Sequence, residues 1–222
     1  MSQTVIRVVV ADDHAIVREG IRTVLEGVEG VQVIAEAADG ATAVALVDEH
    51  APDLLVLDVS MPEMNGLEVT RELRERENGV AILILSMFDD PEYVLQAVRA
   101  GADGYVLKDA GPAELRAAVR AVNEGREYLS ERVTHQLSVA LRQELEQEQR
   151  RSRLDLLTPR EREVLFEVAR GRTAREIAEQ FGISHRTVET HRERVMTKLR
   201  IHTIAGLARF VVESGLGADP TP

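Results

Sequence analysis

Polar side chains able to bind a phosphoryl group stand where four short apolar runs end, in the first half of the chain. They are Asp12 and Asp13, Asp58, Ser86 and Lys108. Clustered carboxylates repel one another unless a cation neutralises them, and oxygen ligands that leave room for water suit Mg²⁺ better than zinc. A carboxylate beside Mg²⁺ can attack phosphorus while a hydroxyl and an ammonium stabilise the charge on the phosphoryl oxygens. Brought together, these residues would form a magnesium-dependent site that accepts a phosphoryl group.

Within this set, we expect Asp13 and Asp58 to ligate the metal directly and Asp12 to act through water. Asp58 is the expected nucleophile because it ends the central strand of the predicted sheet. Ser86 and Lys108 would receive the charge of the phosphoryl group. Taken singly, Asp and Ser after a strand are more often turn residues or helix caps, and a single lysine is more often solvated. The agreement of four strand ends favours the site.

The elements that position these residues are five apolar runs of strand length, alternating with helix-length segments whose apolar residues lie three and four apart. The runs are Ile6 to Ala11, Gln32 to Ala37, Leu54 to Val59, Ala81 to Met87 and Gly104 to Leu107. The alternation indicates an α/β fold with a five-stranded, doubly wound parallel sheet, in which ligands bind beyond the carboxyl ends of the strands. All five polar residues fall at that edge.

The segments around these residues resemble the receiver domain of two-component response regulators, over roughly residues 5 to 124. The segments are Ala11 to His14, Asp58 to Gly66, Leu85 to Ser86 and Gly104 to Lys108. The resemblance implies a flavodoxin-like fold and a sensor histidine kinase that phosphorylates Asp58. It also implies that the Ser60 backbone carbonyl completes the metal site and that Ser86 and Tyr105 form a switch.

The switch expected from the resemblance turns Tyr105 inward when Ser86 moves toward the phosphoryl group. Tyr105 can equally be a core aromatic, because large aromatic side chains are commonly buried. Asp109 stands where many receivers have proline, and Ser60 and Phe88 occupy positions that vary with phosphate lifetime, so the lifetime stays open.

The segment 125–153 is rich in Glu, Gln and Arg, and its apolar residues are spaced by four until position 145. We expect a solvated helix that leads into a flexible linker from about Glu146 onward. A short dimer-forming helix is the alternative, because Val133, Leu137, Leu141 and Leu145 form a stripe.

Capping signals mark the helices of the second half. Thr158 with Glu161, and Thr173 with Glu176, are capping boxes, and Ser184 is a further N-cap. A helix of about eight residues, Ala174 to Phe181, is followed after Gly182 by a longer one. This spacing is typical of a helix-turn-helix.

The longer helix would present its outer face to DNA, because the second helix of a helix-turn-helix lies in the major groove. The expected DNA-binding residues are Arg186, Glu189, Thr190, Arg192, Glu193, Arg194 and Lys198. Arg186 suits guanine, whereas Arg192, Arg194 and Lys198 are better placed for phosphates. With 11 basic and 9 acidic residues over 154–217, composition alone leaves an ordinary helical bundle with a charged face equally open.

The segments Leu157 to Leu165, Glu176 to Ala178 and Arg186 to Arg192 resemble the LuxR-type DNA-binding domain, over about 155–215. With the receiver before it, the whole chain resembles the NarL/FixJ family. The resemblance implies a four-helix domain whose last helix, beginning at Thr203, dimerises on DNA. The residues expected to dimerise are Ile204, Leu207, Ala208 and Val211. The expected parts are a receiver (1–124), a helical linker (125–153), a DNA-binding domain (154–216) and a flexible tail (217–222).

Charge and composition fit two parts with different partners. Residues 1–125 hold 23 acidic and 10 basic side chains, net −13, and residues 126–222 hold 15 and 17, net +2. There is no cysteine and no apolar stretch near the roughly 20 residues of a membrane span. We expect a cytoplasmic protein whose phosphorylation releases its second domain to bind promoter DNA as a dimer.

Two other functions remain open from the residues. A Mg²⁺-dependent phosphatase would use Asp58 as a covalent nucleophile, but it typically needs a second acid two residues later, and position 60 is serine. We therefore expect no enzyme activity beyond phosphorylation and dephosphorylation of Asp58 itself. A regulator that works without phosphorylation is the third possibility, and the intact set of acids argues against it.

Overall fold

The structure is a computed structural model that describes residues 5–214 of the 222 in the chain. The chain forms two compact units, with the division between Leu141 and Arg142. The division falls inside the expected linker 125–153, so the first unit extends beyond the expected receiver boundary at residue 124. The expected tail, 217–222, lies outside the described residues.

The first unit is built on a parallel sheet with the order β2-β1-β3-β4-β5-β6. The strands are β1 (Ile6–Ala11), β2 (Val31–Ala37), β3 (Leu54–Asp58), β4 (Ala81–Ser86), β5 (Gly104–Leu107) and β6 (Tyr128–Leu129). The predicted α/β class and parallel sheet are confirmed. The prediction of five strands is corrected by β6, a two-residue strand at the edge beside β5.

Helices cover both faces of this sheet. They are α1 (Ala15–Glu26), α2 (Gly40–His50), α3 (Gly66–Glu75), α4 (Pro91–Ala100) and α5 (Pro112–Asn123). Alternate residues of each inner strand enter different cores: Val9 packs with α2 and α3 residues, and Val8 packs with α1 and α5 residues. Since both faces are buried, the strands are nearly continuous apolar runs rather than alternating ones.

The connecting helix α6 (Glu131–Asp155) is 25 residues long. It begins in the first unit and ends in the second. The prediction of a flexible segment from Glu146 onward was wrong, because the structure is helical there. An ion pair between Glu146 and Arg150, one turn apart, contributes to the polar part of this helix.

The second unit contains four further helices, as the resemblance implies. They are α7 (Pro159–Ala169), α8 (Ala174–Phe181), α9 (His185–Leu199) and α10 (Ile204–Glu213). Both predicted capping boxes are present, and Ser184 accepts a hydrogen bond from the Thr187 amide. Gly182 has a φ of 64°, which lets α8 end in the left-handed conformation and turn into α9.

Within residues 5–214, no helix is both long and apolar enough to cross a bilayer.

Candidate functional site

The carboxyl edge of the sheet brings the predicted residues together. Asp12 follows β1, Asp58 and Ser86 are the last residues of β3 and β4, and Lys108 follows β5. The Lys108 Nζ atom lies 2.6 Å from Asp12 Oδ2 and 2.7 Å from Asp58 Oδ2. The Lys108 amide donates to the Ser86 carbonyl at 2.8 Å, which joins the fourth strand end to the other three.

These groups are removed from water. The side chains of Asp12 and Asp58 are 0% and 3% exposed, and that of Lys108 is 11% exposed. Burial of Asp58 raises its pKa; the nearby Lys108 opposes this rise, and the charge of Asp12 adds to it. Burial alone would lower the pKa of Lys108, but its contacts with Asp12 and Asp58 outweigh that effect and the pKa is raised. The ammonium therefore stays charged and stabilises the ionised carboxylates.

The loop after β3 holds Asp58 through backbone contacts. The Ser60 amide donates a hydrogen bond to the Asp58 carboxylate. A side chain at Gly66 would overlap the Asp58 carbonyl oxygen, so only glycine permits α3 to begin this close to the strand end. Asn65 caps α3 in a capping box with Glu68. The sequence of the loop thus fixes its shape around Asp58.

Asp12, Asp13 and His14 form an acidic cluster whose ligand atoms lie within 4.8 Å of one another. The His14 amide donates to Asp12 Oδ1 at 2.8 Å, and His14 Nδ1 lies 2.5 Å from Asp13 Oδ1. Carboxylate oxygens beside the Asp58 carboxylate suit a hard divalent cation such as Mg²⁺. The donor set therefore fits the implied metal. His14 was not predicted as a site residue, although it belongs to the Asp-Asp-His motif that carries the resemblance.

Tyr105 lies in the core of the first unit, a position that fits both the expected switch and the packing alternative. Its side chain is buried, and its hydroxyl donates to the Phe88 carbonyl at 2.7 Å. The Phe88 amide in turn donates to Ser86 Oγ at 3.0 Å. Burial raises the pKa of Tyr105 to about 12, so the phenol is neutral and can donate this bond. Ser86 and Tyr105 are thus linked through one residue, Phe88.

The helix α9 has the two faces that the sequence predicts. Val188, Val195 and Leu199 are buried in the core of the second unit. The residues Arg186, Thr190, Glu193 and Arg194 are exposed. Glu189 and Arg192 are half-buried and form an ion pair at 3.2 Å. The outer face therefore carries charged and hydroxyl side chains on a rigid helix.

Lys198, one of the expected DNA contacts, is paired within the second unit in this structure. Its Nζ atom lies 2.6 Å from Glu161 Oε2 and donates to the Leu156 carbonyl at 3.0 Å. Glu161, only 2% exposed, thus joins the start of α7 to the end of α9. In the sequence Glu161 is recognisable only as a helix cap, because its partner lies 37 residues away.

The predicted dimer stripe on α10 divides between core and surface. Leu207 and Val211 are buried in the core of the second unit, so they are corrected from dimer contacts to core residues. Ile204 is exposed and Ala208 is half-buried. Val212, which the sequence analysis did not select, is 71% exposed and lies one turn beyond Ala208.

Family comparisons match both units. Residues 8–120 match the response regulator receiver domain, and residues 155–211 match the bacterial regulatory proteins of the luxR family. The chain is 34% identical over 211 residues to the response regulator UvrY of Escherichia coli K12, covering 95% of each chain. It is 38% identical over 214 residues to the oxygen regulatory protein NreC of Staphylococcus epidermidis, covering 95% of this chain and 98% of the relative.

A solved structure of the RcsB response regulator of Salmonella typhimurium, concerned with its DNA interaction, is similar over both parts. The identity is 27% and the TM-score 0.59, with 94% of this chain and 99% of the other covered. The matched families and these relatives are regulators, so the phosphatase alternative finds no support. The chain therefore belongs to the NarL/FixJ family of two-component response regulators, and it is a transcriptional regulator with a receiver domain and a LuxR-type DNA-binding domain.

Proposed function

We propose that Asp58 accepts a phosphoryl group from a sensor histidine kinase and that this event gates DNA binding by the second unit. The observation that carries the proposal is the Lys108 ammonium 2.7 Å from Asp58 and 2.6 Å from Asp12, at the carboxyl end of the sheet. A fixed cation beside a buried carboxylate can receive the charge of an incoming phosphoryl group. The chain acts in the cytoplasm under this proposal.

In the transfer, an Asp58 carboxylate oxygen attacks phosphorus as the bond from phosphorus to the kinase histidine nitrogen breaks. Lys108 shifts from the carboxylate to the phosphoryl oxygens, and the Ser86 hydroxyl donates to one of them. Mg²⁺, when held by Asp12, Asp13, Asp58 and the Ser60 backbone carbonyl, neutralises the carboxylates and the phosphoryl charge. Beyond its own phosphorylation and dephosphorylation, the chain catalyses no reaction.

The phosphorylation signal passes first to Ser86 and Tyr105. As Ser86 turns toward the phosphoryl group, the inward position of Tyr105 is favoured, and its bond to the Phe88 carbonyl holds the segment after β4. A local charge change thereby selects one of two conformations of the receiver surface. The receiver is proposed as residues 1–124 and the helical linker as 125–153.

The DNA-binding domain, proposed as residues 154–216, reads DNA through the outer face of α9. The proposed contacts are Arg186, Glu189, Thr190, Arg192, Glu193 and Arg194. Lys198 belongs to the same set, with its ammonium paired to Glu161 as the Arg192 guanidinium is paired to Glu189. Arg186 is exposed near the N-terminal end of α9, the part of a recognition helix that reaches base edges.

Two copies bind adjacent promoter half-sites, because one small domain offers few contacts and a dimer adds the affinity of the second site. The dimer surface on α10 is proposed as Ile204 and Ala208 with the exposed Val212. Leu207 and Val211 support this surface from the core.

Intact-mass measurement with acetyl phosphate tests the acceptor. The full chain with Mg²⁺ is expected to gain one phosphoryl group, and a chelator is expected to prevent the gain. Asp58→Asn should gain none, whereas the control Asp48→Asn, an exposed carboxylate on α2, should match the wild type. Equal incorporation by Asp58→Asn would show that another residue is the acceptor.

A further inference from the structure

Arg132, in the first turn of α6, joins the two segments that lead away from the phosphoacceptor site. Its Nη2 atom donates to Asp89 Oδ2 at 2.8 Å, and its Nη1 atom donates to Asp109 Oδ2 at 2.8 Å. Asp89 lies three residues after Ser86, and Asp109 directly follows Lys108. One guanidinium thus binds both segments at once. We call these three residues the Arg132 bridge.

Helix electrostatics alone disfavour an arginine at this position. The first turn of a helix carries partial positive charge and favours anions, so a cation there is unfavourable unless other groups compensate. The carboxylates of Asp89 and Asp109 supply that compensation from outside the helix. The Arg132 side chain is therefore oriented by the receiver segments and not by its own helix.

The turn that carries Arg132 is attached to the strand of Tyr105. Strand β6 pairs with β5, with Leu129 opposite Tyr105. The Ser130 amide donates to the Tyr105 carbonyl at 3.4 Å, and Val133 is fully buried in the same core as Tyr105. A change at Tyr105 or in the segment after β4 therefore acts directly on the start of α6.

The position of Asp89 depends on the switch. Its neighbour Phe88 donates to Ser86 Oγ through its amide and accepts the Tyr105 hydroxyl through its carbonyl. With Tyr105 inward, as in this structure, Asp89 reaches Arg132. A rearrangement of Ser86 and Tyr105 breaks the two bonds that hold the Phe88 backbone, which frees Asp89 to move.

We propose that Arg132 is a positioning residue that couples the phosphorylation state of Asp58 to the first turn of the connecting helix α6. The inference rests on the proposed function, in which Asp58 is the phosphoacceptor. Phosphorylation favours inward Tyr105, closes the Arg132 bridge and holds the start of α6. Because coupling is reciprocal, a closed bridge also stabilises the phosphorylated receiver.

Amide hydrogen exchange of the full chain, with and without beryllofluoride in the presence of Mg²⁺, tests the coupling. In the wild type, beryllofluoride is expected to slow exchange about three-fold in peptides spanning 131–141, a size typical of exposed ion pairs. In Arg132→Gln this protection should be lost, and beryllofluoride should bind about three-fold more weakly. Both effects should diminish at high salt, because the bridge is exposed.

Arg126→Gln is the matched control. Arg126 is also exposed and close in sequence, but it bonds to Glu124 and has no role in the bridge, so this variant should behave as the wild type. The role of Arg132 would be overturned if beryllofluoride slowed exchange in peptides 131–141 of Arg132→Gln as much as in the wild type. It would also be overturned if Arg126→Gln lost this protection to the same extent.

The two proposals fail in different ways. If beryllofluoride slows exchange around Asp58 and Ser86 in the wild type but not in Asp58→Asn, the acceptor assignment stands even where Arg132→Gln has no effect on 131–141. If exchange around Asp58 does not respond to beryllofluoride in the wild type, both the acceptor assignment and the coupling are wrong.

Discussion

Lys108 is the residue on which the charge balance of the proposed phosphoacceptor site depends. It contacts two buried carboxylates, Asp12 and Asp58, and is itself mostly buried. Bringing like charges together out of water is unfavourable, and one ammonium offsets only part of that cost. The charged groups of this site therefore lower the stability of the fold in favour of function.

The charge on Asp58 is predicted to destabilise the unphosphorylated protein at neutral pH. Since the pKa of Asp58 is raised from 3.8 by burial, the folded state binds this proton more tightly than the unfolded state. Stability therefore falls as the pH rises from 3.8 through the folded pKa. At pH 7, the free energy of unfolding of Asp58→Asn should exceed that of the wild type by about 1 kcal/mol. The variant should therefore unfold at a higher temperature.

Thermal unfolding at several pH values in a chelator measures this effect. The advantage of Asp58→Asn should disappear once the pH is below 3.8, where Asp58 is neutral in both states. An advantage that stays constant down to that pH would show that its charge is not the cause.

Replacement of Lys108 by methionine should have the opposite effect. Lys108→Met keeps an apolar stem but leaves Asp12 and Asp58 without their cation, and the loss should be about 2–3 kcal/mol because buried carboxylates are left unpaired. Added Mg²⁺ should restore part of the stability if the acids bind it. Urea unfolding with and without Mg²⁺ measures both effects, and the exposed Arg126→Met serves as a control that should change little.

At the scale of elements, the loop between β3 and α3 sets the geometry of the acceptor. Gly66→Ala would place a methyl group against the Asp58 carbonyl oxygen, so the loop or the strand end must shift. We expect a loss of about 3 kcal/mol, as for overpacking against backbone. In α1, the control Gly20→Ala meets no atom within 4 Å and should stabilise by about 1 kcal/mol. Thermal unfolding of both variants measures these changes in stability. A Gly66→Ala variant as stable as the wild type would contradict the close packing at Asp58.

The contact between α7 and α9 depends on the pair formed by Glu161 and Lys198. Burial raises the pKa of Glu161, but the bonds from Lys198 and Thr158 outweigh it, so the pKa lies below 4.5. Its stabilising contribution is therefore present above pH 4.5 and lost as the pH falls through the folded pKa. Glu161→Gln should cost about 2 kcal/mol at pH 7, since a bond to a charged group is lost.

Amide exchange in α7 and α9 during urea unfolding reports on this pair. The difference in unfolding free energy between the wild type and Glu161→Gln should shrink as the pH falls below 4.5. Glu163→Gln is the control, because Glu163 is an exposed carboxylate on the same helix. A difference that is independent of pH would show that the charge of Glu161 does not matter.

The elements with strong periodicity were predictable, and the exceptions have physical reasons. The five long strands follow from apolar runs buried on two faces, whereas β6 has only Tyr128 and Leu129 and shows no period. The length of α6 was missed because its last part has no apolar stripe and is supported by ion pairs such as Glu146 with Arg150. Arg150 is also held by Glu213, 63 residues away, and a local pattern cannot show a partner at that distance.

Among site residues, sequence reasoning could identify strand-end positions but not long-range partners. Asp12, Asp58 and Lys108 were selected because parallel strands end at one edge, and the structure places them in contact. The pairing of Lys198 with Glu161 was not predictable, because an exposed lysine and a paired one look alike in sequence. Similarly, an apolar stripe on α10 predicts burial of Leu207, but not whether the covering surface is the domain core or a second copy.

At the scale of the whole molecule, the chain joins an acidic receiver to a nearly neutral DNA-binding unit. Residues 1–125 carry a net charge of −13, which disfavours contact with the phosphate backbone. Under the proposed function, affinity for a promoter then depends on two copies that bind together. We propose that phosphorylation of Asp58 controls this step.

DNA binding by the full chain with Mg²⁺ and acetyl phosphate measures this control when the sequences are selected from random DNA and the salt concentration is held constant. The wild type should bind at least about tenfold more tightly after phosphorylation, a coupling of about 1.4 kcal/mol, and should shift to a dimer. Asp58→Asn should show neither change. If the wild type and Asp58→Asn select the same DNA with equal affinity under these conditions, gating through Asp58 is wrong.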